Sequence, residues 1–133
     1  MQMSNLESEQ HRLRLTVLPG QYAVCRLPPD APVPAWTEGG FVSVTRTIQE
    51  LSVVCEQRYV PPDVRCEKHW RGLRVEGPLD LALTGIMASL TAPLAQARIA
   101  VFALSTYDTD YLLIKDRDLD AAVRVLRASG LEI

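Results

Sequence analysis

Apolar and polar positions alternate from Leu13 to Leu18, where Arg14 and Thr16 interrupt an apolar series, the period-two pattern of a half-buried strand. Pro19-Gly20 marks a turn and Tyr22 to Leu27 reads as a second strand, so the pair predicts a hairpin. Pro28 to Gly40 holds four of the nine prolines and two of the seven glycines. Each proline deletes an amide donor, so this stretch carries at most a short helical turn near Val33 to Thr37. Phe41 to Arg46 and Leu51 to Cys55 are strand candidates joined by the polar turn Thr47 to Glu50. Val60 to Lys68 reads as loop around Pro61-Pro62, and Leu73 to Glu76 as a strand that enters the Gly77-Pro78 break.

Beyond that break the pattern changes period. Between Thr84 and Ala97, Ile86, Leu90, Leu94 and Ala97 recur at steps of four, four and three, which predicts a helix with one apolar face; Pro93 should kink it or mark a restart. Ile99 to Leu104 is nearly all apolar and reads as a buried central strand. Ser105 to Thr109 is a polar connection, and Asp110 to Lys115 is a strand centred on Leu112, Leu113 and Ile114. Asp118 is placed to cap a helix carrying Leu119, Ala122, Val123 and Leu126 at i, i+3, i+4 and i+7, and Gly130 to end it. Leu131 to Ile133 suffices for a short last strand.

The second half thus reads β-α-β-β-α-β, the ferredoxin-like order, with helices on one face of an antiparallel sheet. The first half offers β-β-(short helix)-β-β, a reduced version of that plan. A weak repeat links them: at an offset of 60 residues (104 against 44), Val44-Thr45 falls on Leu104-Ser105, Glu50 on Asp110, Leu51 on Tyr111 and Val53-Val54 on Leu113-Ile114. The predicted fold is α+β: two ferredoxin-like units in tandem, the first reduced. The predicted boundaries are a disordered tail at 1–11, a first unit at 12–68 and a second at 69–133.

Composition narrows the function. The 133 residues are 47% hydrophobic and 23% charged, too apolar for disorder. With 14 Lys plus Arg against 16 Asp plus Glu the net charge is −2, which leaves no electrostatic footprint for nucleic acid. Arg65, Lys68, Arg71 and Arg74 cluster, but Glu67 and Glu76 interleave with them, as on a solvated face. No apolar run approaches the ~20 residues that span a bilayer, and the polar first residues are not a signal peptide; a cytoplasmic location is expected. Cys25, Cys55 and Cys66 are an odd number, which argues against a disulfide framework. Cys66-x-x-His69 offers two metal ligands where a closed zinc site needs four, so no metal is expected. Cys25 and Cys55 then read as small buried hydrophobes, and Cys66 and His69 as ordinary loop residues. No phosphate-binding glycine loop is present, and no cofactor or catalytic residue is expected.

The most unusual segment is Ser105-Thr106-Tyr107-Asp108-Thr109-Asp110-Tyr111, with three hydroxyls, two carboxylates and two aromatics between very apolar strands. A polar turn accounts for Asp108. It accounts less well for the flanking tyrosines and for an aspartate opening a buried strand. An α-amino acid site accounts for both. A partly buried Asp pairs with the ammonium or side-chain cation, hydroxyls fill the remaining hydrogen bonds, and an aromatic covers the ligand. The ligand carboxylate would take the backbone N–H groups at Thr84-Gly85-Ile86, where Gly85 permits close approach.

These residues resemble a family. Val75-Glu76-Gly77-Pro78-Leu79-Asp80, Leu83-Thr84-Gly85-Ile86, Pro93-Leu94-Ala95, Ile99, Phe102-Ala103-Leu104 and Ser105 to Leu113 are similar to a bacterial tandem ACT-domain protein, of the branch similar to the ACT modules of the animal cytosolic arginine sensor. Phe41 to Thr47 and Glu50 to Cys55 agree. The resemblance implies a regulatory, non-enzymatic protein whose modules associate side by side and bind an amino acid at an interface. It implies a ligand site at Gly85, Ile86, Thr106, Tyr107 and Asp110, in which Asp110 meets a basic ligand group, and the reading of the segment itself adds Ser105, Asp108 and Thr109. Asp108 and Thr109 stand where the animal sensor is more apolar or uncharged, which departs from arginine specificity. A homodimer and a regulated protein partner are expected, with no nucleic acid and no membrane. Two rival readings remain: a dimerisation module with no metabolite ligand, and a small enzyme using Cys66 or His69.

Overall fold

The computed structural model describes residues 13–77, 79 and 84–133. The expected tail at 1–11, and Pro78, Asp80 and Leu83 of the motif, lie outside them. The elements in chain order are β1 (Leu15–Val17), β2 (Tyr22–Leu27), β3 (Ser43–Arg46), β4 (Leu51–Glu56), β5 (Cys66–Val75), α1 (Ile86–Gln96), β6 (Val101–Ser105), β7 (Asp110–Lys115) and α2 (Leu119–Ala128), with 3-10 turns at Gln57–Tyr59 and Asp116–Asp118. They form two compact units. Residues 13–18 join Arg71–Ile133 in one, and Pro19–Trp70 makes the other.

The α/β unit has the antiparallel sheet and two helices that the sequence predicts. β6 pairs with β7 from Val101↔Ile114 to Ser105↔Asp110, β7 neighbours β5, and β1 pairs antiparallel with the end of β5, Leu15 opposite Val75. Ile86, Leu90 and Leu94 of α1 and Ala122 and Leu126 of α2 pack on Leu13, Leu15, Leu73, Val75, Leu112 and Ile114, which the strand period turns to the same side. α1 runs unbroken through Pro93, so no restart occurs, and Ala97 is its exposed C-cap rather than part of the buried face. Both helices end in the same hydrogen-bonded motif. In α2, Gly130 has φ +96° and the Leu131 N–H reaches back to Leu126 C=O at 3.1 Å; in α1, Arg98 takes that left-handed place at φ +60° and Ile99 N–H reaches Leu94 C=O at 2.9 Å.

Four expectations change here. β1 does not form a hairpin with β2: both edges of β2 are taken, by β4 and by β5, so the apolar face of β1 finds its partner at the end of β5. Ile99 to Leu104 is not a central strand; among the described residues β6 pairs only with β7 and ends this unit's sheet, while β7 is the strand buried on both faces. Asp118 sits at the N-cap of α2, but its carboxylate makes no cap hydrogen bond, because the 3-10 turn Asp116–Asp118 already leads into the helix. The expected last strand reduces to a parallel bridge between Glu132 and Arg14, with Leu15 N–H donating to Glu132 C=O at 2.7 Å.

The other unit is a β3-β4-β2-β5 antiparallel sheet over Ala23, Cys25, Leu51, Val53 and Cys55. Its Pro28 to Gly40 segment contains single turns only, such as Thr37 N–H to Pro34 C=O at 3.1 Å, in place of a helix. The Arg46 guanidinium pins this segment by donating to the Pro29 and Ala31 carbonyls. β5 starts at Cys66, so Cys66 and His69 are strand residues and not loop residues. The β2–β5 register slips by one residue between Tyr22↔Trp70 and Val24↔Glu67, and His69 absorbs the extra residue at φ +68°.

Candidate functional site

Six of the eight predicted residues come together in the connection between β6 and β7. Ser105 and Asp110 are directly opposite one another, and the Ser105 hydroxyl donates to Asp110 Oδ1 at 2.7 Å. Thr106 folds the four residues between them. Its N–H donates to Thr109 C=O at 2.8 Å, its hydroxyl contacts the same oxygen at 3.0 Å, and Thr109 N–H reaches back to Thr106 Oγ1 at 3.3 Å. Thr109, only 6% exposed, turns its side chain inward and donates to Val75 C=O at 2.6 Å. Asp108 is exposed, but its carbonyl accepts from Leu79 N–H at 2.7 Å.

The turn is thereby tied at two points to the chain leaving β5. Gly77 lies in that seam: a Cβ there would stand 3.1 Å from Asp108 O and 3.2 Å from Thr109 Cβ, tighter than ordinary packing. The result is a half-buried carboxylate, Asp110, oriented by a neighbouring hydroxyl at the mouth of a rigid turn. One oxygen accepts from Ser105, and a carboxylate has acceptor capacity well beyond one bond. Such a group suits a cationic or ammonium-bearing partner.

Gly85 and Ile86 do not belong to this turn; they stand at the start of α1. Gly85 is the N-cap of α1 with φ +81°, a conformation that favours glycine, and it has no side chain to cap the first helical amides. Ile86 sends its side chain into the core, so only its backbone is available to a ligand. Residues 80–83, between Leu79 and Thr84, lie outside the described residues. Tyr107 is 82% exposed at the tip of the turn.

The repeat is sharper in structure than in sequence, and its offset is 59 rather than 60. Arg46↔Leu51 closes the β3–β4 hairpin as Ser105↔Asp110 closes β6–β7. Thr47 then repeats the bonds of Thr106: its N–H donates to Glu50 C=O at 2.9 Å and its hydroxyl accepts from Glu50 N–H at 3.1 Å. Each tip carries a large exposed side chain, Ile48 at 94% and Tyr107 at 82%. The signal that locates this correspondence is the Thr-x-x pattern ahead of each second strand.

Sequence reasoning did not find a concavity of about 560 Å³ in the β unit. Pro19, Gly20, Gln21, Glu56, Gln57, Arg58 and Lys68 line it, and none of the eight predicted residues does. Beside it, Gln57 Oε1 accepts from the strained His69 N–H at 2.6 Å, and the His69 ring lies 3.0 Å from Gln21 Oε1. Among the described residues no group of three His, Cys, Asp or Glu is arranged to hold a metal ion, and no helix is long and apolar enough to cross a membrane.

Residues 65–128 match the family model of the ACT domain. A second model, for an N-terminal domain, matches residues 20–63. The cytosolic arginine sensor for mTORC1 subunit 1 of Bos taurus is 31% identical over an alignment of 97 residues that covers 65% of this chain and 30% of that protein. The chain thus spans under a third of that relative's length. A crystal structure of a protein from Agrobacterium tumefaciens is 39% identical, with a TM-score of 0.86 over 91% of each chain. The regulatory subunit of aspartate kinase from Thermus thermophilus shares the fold alone, at 9% identity and TM-score 0.59, over 86% of this chain and 96% of that one.

Proposed function

We propose that this chain is a non-enzymatic regulatory protein that binds an amino acid at its ACT domain. The observation that carries the reading is the Ser105–Asp110 pair: a half-buried carboxylate held by a hydroxyl in a turn anchored through Thr109 and Asp108. Asp110 pairs with a ligand cation, Ser105 and Thr106 hydrogen-bond, and Tyr107 closes over the ligand. Asp108 and Thr109 fix the turn. The amides following Gly85, at Ile86, receive the carboxylate, as a helix N-terminus favours anions. The arginine-sensor relative and the regulatory-subunit fold support the class of ligand and the regulatory role.

The remaining parts of the reading follow from the same class. The β unit serves as a reduced ACT-like module in tandem with the complete one. The protein works in the cytoplasm as a homodimer, with the ligand at an interface between modules. A bound amino acid shifts a protein partner only by its differential affinity for two interface arrangements. A second reading, a dimerisation module without a metabolite, draws on β6, an edge strand that carries Val101, Phe102 and Leu104.

Thermal unfolding against the twenty amino acids separates the two. A ligand at 100 times its dissociation constant adds about 2.7 kcal/mol. A raised midpoint with one or two amino acids, lost in Asp110→Ala, is the expected result. No shift with any of them removes the amino-acid reading and leaves the dimerisation module.

A further inference from the structure

Cys25 of β2 and Cys66 of β5 are directly opposite residues in an antiparallel ladder. The next pair along, Arg26 and Arg65, is hydrogen-bonded, Arg26 N–H donating to Arg65 C=O at 2.9 Å. Hydrogen-bonded and non-hydrogen-bonded pairs alternate, so Cys25 and Cys66 form a non-hydrogen-bonded pair. Such pairs hold their Cα atoms about 4.5 Å apart with side chains close, inside the range of about 4.4–6.8 Å that disulfides span. The two side chains point to the same side of the sheet and are near enough for one thiol to hydrogen-bond the other. Both cysteines are free, Cys25 buried and Cys66 half-buried. Cys55 shares the face, but it lies opposite Ala23, so it is diagonal to Cys25 across β2–β4 and not its direct partner.

We propose that Cys25 and Cys66 are an oxidation site at which a hydroperoxide closes a reversible cross-strand disulfide. Cys66 is the more exposed thiol and reacts first. Its thiolate attacks one peroxide oxygen, the O–O bond breaks, and a sulfenic acid and hydroxide (or alkoxide) form. The Cys25 sulfur then attacks the Cys66 sulfur, the S–O bond breaks, and the departing hydroxide takes the Cys25 proton as water. The peroxide is reduced and the two thiols are oxidised by two electrons in all. Burial, with the neighbouring Cys66 and Cys55 thiols, pushes the Cys25 thiol up to about 12, which keeps it protonated and leaves the attack on the peroxide to Cys66. The product staples β2 to β5 at a position where no backbone bond joins them.

Peptide mapping of the full-length wild-type protein after treatment with hydrogen peroxide, without reductant, tests this. The expected product is an intramolecular Cys25–Cys66 link that disappears on adding dithiothreitol and still forms in Cys55→Ser. In Cys25→Ser the Cys66 sulfenic acid should instead accumulate and be trapped by dimedone. A dominant link through Cys55, a link between two chains, or Cys66 recovered unlinked in the wild type, as thiol or as sulfinic acid, would overturn the proposal.

Discussion

Replacing Thr109 by valine tests whether the candidate site is held by one buried hydrogen bond. Thr109 is 6% exposed and its hydroxyl lies 2.6 Å from Val75 C=O. Valine keeps the branched shape and volume and removes only the donor. Val75 C=O is then left buried without that partner, which costs about 1–3 kcal/mol. Thr109→Ser makes the opposite cut: it keeps the donor and loses one methyl, about 0.8 kcal/mol if fully buried. The order of stability should therefore be wild type, then serine, then valine. Urea unfolding reads it directly: with m of about 1.5 kcal/mol/M, a loss of about 2 kcal/mol moves the midpoint down by about 1.3 M. Unchanged m confirms that the native packing is otherwise kept. A valine variant as stable as wild type, or a serine variant below it, would refute the claim that this hydrogen bond anchors the turn.

Two further outcomes follow from the backbone and the thiols. Arg98→Gly should raise stability by roughly 0.5–1 kcal/mol, because Arg98 pays about 1–2 kcal/mol for its left-handed conformation and glycine returns about 0.5–1 of that in flexibility; a lowered thermal midpoint would contradict the assigned motif at the end of α1. Raising the pH should cost stability through Cys25. Its folded thiol titrates near 12 and an unperturbed thiol at 9.0, so between these values the unfolded chain binds fewer protons than the native one and stability falls as pH rises. Urea midpoints at about pH 8 and about pH 10.5 should therefore diverge less in Cys25→Ala than in wild type, and an equal drop in both would remove Cys25 as the cause.

How much of this was legible in the sequence depends on whether the information is local. Ile86, Leu90 and Leu94 mark α1 because one face must be buried, and Gly130 marks the end of α2 because only glycine takes that conformation at little cost. Tyr22 to Leu27 emerges with the predicted limits, for the same reason. Pairing is not local. The alternation at Leu13, Leu15 and Val17 declares a half-buried strand but not which strand lies beside it, and β1 passes over its nearest neighbour to reach β5. The run Ile99 to Leu104 is apolar enough for a buried central strand, yet β6 is an edge with no fully buried residue, since hydropathy reports residue type without reporting the number of neighbours. At the site, Ser105 and Asp110 were visible as residue types. Their direct opposition follows from a four-residue connection that the Thr106 bonds set, and the inward turn of Thr109 needs Val75 in place.

The two matching hairpins also bear on where a ligand can be held. At an offset of 59 residues the folding device is the same: a threonine whose amide and hydroxyl close a four-residue connection. What differs is the pair that flanks it. In the α/β unit the pair is Ser105 and Asp110, a hydroxyl bonded to a half-buried carboxylate. In the β unit it is Arg46 and Leu51, of which Leu51 is fully buried and Arg46 is spent on the Pro29 and Ala31 carbonyls. The shared turn is therefore a scaffold, and under the proposed function the binding chemistry belongs to the two positions beside it. In the β unit those positions serve the core and the proline-rich segment. In the α/β unit Thr109 takes over the anchoring, which leaves Asp110 oriented, polar and open to a cation.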